Sequence, residues 1–410
     1  MDIPGLPARR AALRLLDAVL RRGETLDVAL HAATQGMVGS SDRALARALA
    51  AEALRWLVDL DALIDSATAM PLAHDAKPRS VLRLMLAGWL RLETPPHAVI
   101  ATGLPLLTGG PRRLAHGVFS TLVKRNVTMP VAPTLAAGPA MRWGERRAAI
   151  AAALAVPPPL DLSLRDPAQT ARWAAELGGL SLMPGHVRLP RGEAVERLAG
   201  FAEGAWWVQD LAASLPARLL GPGNGRRALD LCAAPGGKTL QLAAAGWHVT
   251  ALDSSPRRLE HLHANLARCA LVAEVVVGDV LTWAPDAPYD AILLDAPCTA
   301  TGTCRRHPDV LHRIGPRQIA EMVELQVRLL ACATGWLAPG GRLVYAVCSL
   351  EPAEGEARAA NVALPPDPIR ADELPEGLAP TTEGWLRTDP GMLAAMGGLD
   401  GFFMARWQQL

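Results

Sequence analysis

The chain has 410 residues, 50% of them hydrophobic, with a formal net charge of +1 at pH 7. That length and apolar content predict two or three domains with substantial cores. No apolar run reaches membrane-spanning length, the Met1-Asp2-Ile3-Pro4 start carries no secretory h-region, and all six cysteines fall between Cys232 and Cys348, so a membrane-spanning, secreted or disulfide-stapled protein is disfavoured and a soluble cytoplasmic enzyme expected.

Residues 1–130 are expected to form an all-helical domain. Ala12-Leu13-Leu16-Leu20 and Leu82-Met85-Leu86-Trp89-Leu90 carry helical spacing, and Ala115-Val118-Phe119-Leu122 gives another apolar face flanked by Arg112, Arg113, Lys124 and Arg125. Ser41-Asp42 is a plausible N-cap for a helix over Arg43 to Leu60, and Thr94-Pro95-Pro96 and Gly109-Gly110-Pro111 separate helices of a bundle. Residues 1–135 hold 16 Lys/Arg against 11 Asp/Glu. A basic module of this kind could lie against phosphates, although the same charge suits a solvated helical surface.

Residues 131–222 are proline-rich and weakly periodic. Helical patterns over Arg146 to Leu154, Pro167 to Leu177, Glu193 to Gly200 and Gln209 to Leu220 suggest a small α+β linker module. From 223 to 410 strands and helices alternate. Strands are predicted at Arg227–Leu231, His248–Leu252, Glu274–Val277, Ala291–Leu294 and Arg342–Val347, with helices at Pro256–Leu271 and Gln318–Leu337. That pattern predicts a doubly wound, Rossmann-like α/β domain, closed by an antiparallel strand at Gly401-Phe402-Phe403-Met404-Ala405.

Asp230-Leu231-Cys232-Ala233-Ala234-Pro235-Gly236-Gly237-Lys238 reads as a strand running into a glycine turn that opens a helix. Such a junction points backbone N–H groups at an anionic or polar cofactor group. A Walker loop ending in Gly237-Lys238-Thr239 would need glycine where Cys232 stands, and the dinucleotide pattern needs three spaced glycines. A nucleoside cofactor without a pyrophosphate remains, and S-adenosylmethionine fits. Acids fall at or near the ends of successive strands: Asp230, Asp253 for the ribose hydroxyls, Asp279 for the adenine amino group, and Asp295. One acid after a strand is more often a helix N-cap, but four in register with a glycine turn make that reading poor. Arg258 joins the expected cofactor-binding set.

Cys298 follows the fourth strand and Cys348 ends the fifth, so both thiols should face one cleft. A thiolate there can add to C6 of a pyrimidine, making C5 nucleophilic towards a sulfonium methyl group. A lone cysteine is more often a small core residue, and Cys232, Cys269 and Cys332 take that reading. Cys304 and His307 lie near Cys298, but no C-x-x-C pair exists and no metal is expected.

Over about 208–410 these motifs resemble the Sun-type (Fmu) RNA cytosine-C5 methyltransferases. The resemblance implies that Cys232 to Lys238 hold S-adenosylmethionine, with Lys238 near its methionine carboxylate. It implies that Asp295 contacts the cytosine, Cys348 is the nucleophile and Cys298 assists product release. Arg305-Arg306-His307-Pro308-Asp309 and the helical first domain, which looks like a NusB-type RNA-binding module, point to members acting on small-subunit rRNA rather than tRNA. A monomer without membrane contacts is expected. Val347, Thr299 and Gly355 depart from the threonine, serine and asparagine usual in the family. Two rivals are a methyltransferase of proteins or small molecules, which would need no cysteine pair, and a non-catalytic RNA-binding factor, which would need no cofactor loop.

Overall fold

The computed structural model describes residues 3–37, 39–192 and 194–410. Met1 and Asp2 of the expected start, and Glu193 at the head of one expected helix, lie outside the described residues. The chain clusters into two compact units, Met1–Val156 with Cys304–Ile314, and Pro157–Thr303 with Gly315–Leu410.

The first unit is helical: α1 (Leu6–Arg22), α2 (Leu26–Ala33), α3 (Ser40–Arg55), α4 (Leu57–Ser66), α5 (Lys77–Leu90), α6 (Pro96–Gly103) and α7 (Gly109–Lys124), followed by the short helices Ala137–Arg142 and Arg147–Leu154. Leu15, Leu16 and Val19 of α1 pack in one core with Leu49 and Leu54 of α3, Val81 to Ala87 of α5, and Phe119 and Leu122 of α7. Helix α5 is enclosed by its neighbours, so even its Arg79 and Arg83 are buried. Buried guanidinium groups need partners, and Asp61 supplies them: Arg83 reaches it through two 2.8 Å hydrogen bonds, and Arg79 Nη1 lies 3.0 Å from it. The helix expected over Arg43 to Leu60 is two helices, because the fully buried Trp56 leaves helical geometry at φ −106°, ψ 20°. The chain segment Cys304–Ile314 belongs to this unit. There Arg55 Nη2 donates to the Arg305 carbonyl at 2.7 Å, His312 Nε2 donates to the Leu54 carbonyl at 2.6 Å, and His307 Nδ1 lies 3.1 Å from the Asp27 carboxylate.

The second unit holds two sheets among the described residues. A small antiparallel one runs in the order β2-β1-β3, from β1 (Leu160–Leu164), β2 (His186–Leu189) and β3 (Trp206–Val208). The larger sheet runs β6-β5-β4-β7-β8-β10-β9, from β4 (Arg227–Leu231), β5 (His248–Asp253), β6 (Glu274–Val277), β7 (Tyr289–Asp295), β8 (Leu337–Val347), β9 (Leu386–Thr388) and β10 (Phe402–Gln408). Strands β6 to β8 are mutually parallel, and β10 pairs antiparallel with both β8 and β9. Helices Gly237–Ala244, Pro256–Cys269 and Pro316–Gly335 connect the parallel strands. Leu229, Leu231, Ile292 and Leu294 are fully buried, as strands covered on both faces require. Instead of the helix expected over 193–200, residues from 194 onward form only a 3-10 turn at Val195–Arg197. The order reverses between β4 and β7, and the crevice at such a switch point is where ligands enter open α/β sheets. The loops after β4, β7 and β8 all end there.

Candidate active site

At the end of β4 the backbone turns through Cys232 (φ 60°) and the cis Ala234-Pro235 bond to Gly236 (φ 107°), where helix Gly237–Ala244 starts. A left-handed φ favours glycine at 236, and a Cβ there would also lie 2.3 Å from Leu262 Cδ1. The loop is held from below. Asp253, buried at the end of β5, accepts the Ala234 N–H at 3.0 Å and the Ser255 N–H at 2.9 Å. Arg258 donates to the Ala234 carbonyl, with Nη1 3.6 Å from Asp253. Asp253 and Arg258 thus shape the loop as well as border it. Burial pushes the Cys232 thiol up to about 12, which suits packing and not nucleophilic chemistry. Asp279 is exposed after β6, and its Oδ1 accepts the Leu281 N–H at 2.9 Å in a local cap.

Lys238 is buried on the first turn of the helix. Its ammonium sits 2.7 Å from Asp295 Oδ2 and 5.4 Å from the centre of the Phe402 ring. Burial alone would lower its pKa, but the attraction of Asp295 outweighs burial and raises it. The resemblance suggested Lys238 near a methionine carboxylate; in the structure its partner is Asp295, the acid expected to meet the base. Asp230, beneath the loop, is wholly buried and accepts the Thr239 hydroxyl at 2.5 Å. Burial raises its pKa to about 7.

The two cysteines meet across neighbouring strands: Cys298 Sγ lies 3.4 Å from Cys348 Sγ. The hydrogen bond to Cys348 and then burial push the Cys298 thiol well above the ordinary range, which favours its protonated form. Close approach of their loops requires glycine at 302. Gly302 N–H donates to the Cys348 carbonyl at 3.0 Å, and a Cβ would fall 1.9 Å from the Gly401 carbonyl oxygen. The fully buried Glu354 accepts the Thr299 N–H at 2.9 Å, the Thr299 and Ser349 hydroxyls, and Gln326 Nε2 at 3.1 Å. Arg387 donates to the Ser349 carbonyl and pairs through two hydrogen bonds, 2.9 and 2.6 Å, with Glu356. Sequence reasoning missed these braces. The only signal was a hydroxyl residue directly after each cysteine.

At the carboxyl ends of the central strands β4, β7 and β8 the structure therefore gathers Cys348, Cys298, Asp295 and Lys238 beside the Cys232–Gly237 loop. The Arg305–Asp309 run instead lies in the helical unit. Two family models match the chain, one described as 16S rRNA methyltransferase RsmB/F over residues 217–408 and one as the NusB family over residues 6–106. The ribosomal RNA small subunit methyltransferase B of Klebsiella pneumoniae subsp. pneumoniae is 34% identical, covering 97% of each chain. That of Sodalis glossinidius is also 34% identical, over 97% of this chain and 96% of its own. Among solved structures, a methyltransferase homolog from Pyrococcus horikoshii is 26% identical with a TM-score of 0.53, covering 66% of this chain and 93% of that one. PH0851, at 20% identity, shares the fold over 100% of both chains with a TM-score of 0.71. On the strength of the near-full-length relatives, this chain belongs to the ribosomal RNA small subunit methyltransferase B family.

Proposed function

We propose that the protein methylates C5 of a cytosine in small-subunit (16S) ribosomal RNA, with Cys348 as the nucleophile and Cys298 as the group that completes product release. The observation carrying this reading is the 3.4 Å contact between the two thiols beside the Lys238–Asp295 pair.

The cofactor of the family is S-adenosylmethionine, and the residues present suit it. A glycine-opened helix start, a loop fixed from beneath by Asp253, and the acid Asp279 beyond the next strand offer backbone N–H groups and acceptors but no pyrophosphate cradle. Cys232 to Lys238, Asp253, Arg258 and Asp279 would border it. The bound cofactor supplies a methyl carbon made electrophilic by its sulfonium.

The chain's own residues do the rest. Asp295, fixed by Lys238, hydrogen-bonds the cytosine near N3 and N4 and stabilises charge that develops as the Cys348 thiolate adds to C6. The S–C6 bond forms, C5 becomes nucleophilic, and C5 takes the methyl group. The C5 proton then passes to solvent, the C5–C6 double bond re-forms and the S–C6 bond breaks. Cys348 departs as a thiolate, and Cys298, held protonated, donates to it. Neither C5 nor C6 is reachable inside a helix, so the base must leave any local stack. The helical unit would contribute phosphate contacts that position the RNA without reading its bases. The protein is read as a cytoplasmic monomer. No helix among the described residues is long and apolar enough to cross a membrane.

The test is Cys298→Ala. It should methylate once and stall as a Cys348–cytosine thioether, seen as a protein–RNA band on denaturing gels. The band should require S-adenosylmethionine to build up and vanish in the double variant with Cys348→Ala. An adduct formed by Cys348→Ala but not Cys298→Ala would exchange the two roles. No adduct from either would remove the covalent mechanism.

A further inference from the structure

The most heavily engaged carboxylate near the site touches neither cysteine. Glu354 is fully buried, and four donors fill its two oxygens: the Thr299 N–H and Gln326 amide on Oε1, the Thr299 and Ser349 hydroxyls on Oε2. Thr299 directly follows Cys298, and Ser349 directly follows Cys348. The same carboxylate therefore ties the residue after each thiol, across two loops that begin on different strands. Its surroundings hold it in turn. Tyr345 OH donates to the Glu354 carbonyl at 2.6 Å, and Gln326 Nε2 also reaches the Pro297 carbonyl at 2.9 Å, on the other side of Cys298.

We infer that Glu354 is a positioning residue for both cysteines, which sets the distance between the thiols and places a buried carboxylate behind the Cys298 loop. This rests on the reading of Cys348 as nucleophile and Cys298 as release group. Four charge-assisted or polar contacts on one buried carboxylate make a rigid tether, and a donor that must meet a departing thiolate gains from fixed geometry. The charge acts in the same direction as the geometry. The ionisable groups that act on Cys298 are Cys348, Glu354 and Tyr345, and Asp295, paired with Lys238, precedes it in the same loop. Of the influences on the Cys298 thiol, Glu354 adds to those raising it, after Cys348 and burial.

Two substitutions separate tether from charge. Glu354→Gln keeps the shape, and the hydroxyls of Thr299 and Ser349 can rotate to accept from its amide. It removes the charge, so Cys298 should ionise at lower pH. The alkaline limb of turnover should then move down, and protein–RNA adduct should accumulate on that limb. Glu354→Asp keeps the charge but shortens the reach. It should lower kcat by about 10-fold to 100-fold, a penalty typical of misplacement near 1 Å, without moving the limb. S-adenosylmethionine affinity should stay within about two-fold in both. Should Glu354→Gln fail to fold by circular dichroism, Thr299→Val and Ser349→Ala each remove one hydroxyl and should lower kcat with the pH profile unmoved. Wild-type turnover and pH profile in Glu354→Gln, with Cys298→Ala still trapping adduct, would overturn this inference alone. If Cys298→Ala traps nothing, the cysteine assignment fails, and the inference falls with it.

Discussion

Asp230→Asn should stabilise the protein more at alkaline than at acidic pH. Asp230 is fully buried under the cofactor loop. One oxygen accepts the Thr239 hydroxyl, and the other meets no hydrogen-bond donor among the described residues. Burial raises its pKa from 3.8 to about 7. A carboxyl whose folded value exceeds its unfolded one costs stability as pH rises between the two. Below about 4 both states are protonated and nothing is lost; above about 7 both are ionised and the full cost is present. At about 1.4 kcal/mol per pKa unit, some three units amount to roughly 4 kcal/mol, of which about 3 kcal/mol falls between pH 5 and 8. Asparagine can still accept from Thr239 and does not ionise. The gap between variant and wild type, read from urea midpoints at both pH values, should therefore widen by about 3 kcal/mol in favour of the variant. A gap that stays constant from pH 5 to 8 would mean that Asp230 ionises freely in the folded protein, and the argument from burial would fail.

Cys348→Ala should abolish methylation while leaving S-adenosylmethionine binding by calorimetry nearly unchanged, because its thiol acts on the base; substantial residual turnover would place the nucleophile elsewhere. Asp253→Ala should do the reverse to binding, weakening cofactor affinity by roughly 1–3 kcal/mol. It should also lower the thermal midpoint, since the carboxylate holds the Ala234 and Ser255 N–H groups; a midpoint like wild type would show the loop standing without it. Exposed Arg112, Arg113 and Lys124 on α7 are the cleaner probe of RNA contact than deletion of the helices, which would strip Cys304–Ile314 of its seat. Neutralising each residue that touches a phosphate should lower the log–log salt slope of rRNA binding by about 0.7–0.9. An unchanged slope in the triple variant would remove this face from the RNA interface.

The parallel sheet was legible because its strands are short apolar runs between glycine turns: β4 and β6 match their predicted spans, and β5 runs one residue longer. The closing antiparallel strand also holds. The small sheet was not legible, although Leu160-Asp161-Leu162-Ser163-Leu164 alternates. Its polar face is buried, because Arg188 on β2 reaches Asp161 through two 2.7 Å hydrogen bonds. A pairing between residues 27 positions apart leaves no local signature. The same limit applies at the site. Both cysteines and the four acids could be placed at strand ends from spacing alone, but the partner of Lys238 could not. Its ammonium lies 57 positions from Asp295, and only the β4–β7 register brings them together.

The departures from the family pattern become intelligible once these long-range partners are known. Thr299 still offers a hydroxyl to Glu354, so replacing serine there keeps the tether. Val347 is fully buried and paired in register with Phe403, in an apolar setting where a threonine hydroxyl would need its own partner. Gly355 is the most telling. A Cβ at that position would lie 2.4 Å from Arg387 Nη2 and 2.7 Å from Phe403 Cγ, so the space of an asparagine side chain is already filled. Arg387 comes from β9, and its guanidinium lies 5.1 Å from the centre of the Phe403 ring while it holds the carbonyl of Ser349. The neighbouring Phe402, on the opposite face of β10, supplies the ring beside Lys238. The antiparallel extension of the sheet is thus more than an edge: its two consecutive phenylalanines support the acid–ammonium pair on one face and the nucleophile loop on the other. An arginine from that extension stands where an asparagine following Glu354 would have stood, which is why the loop can lose the asparagine and keep its brace.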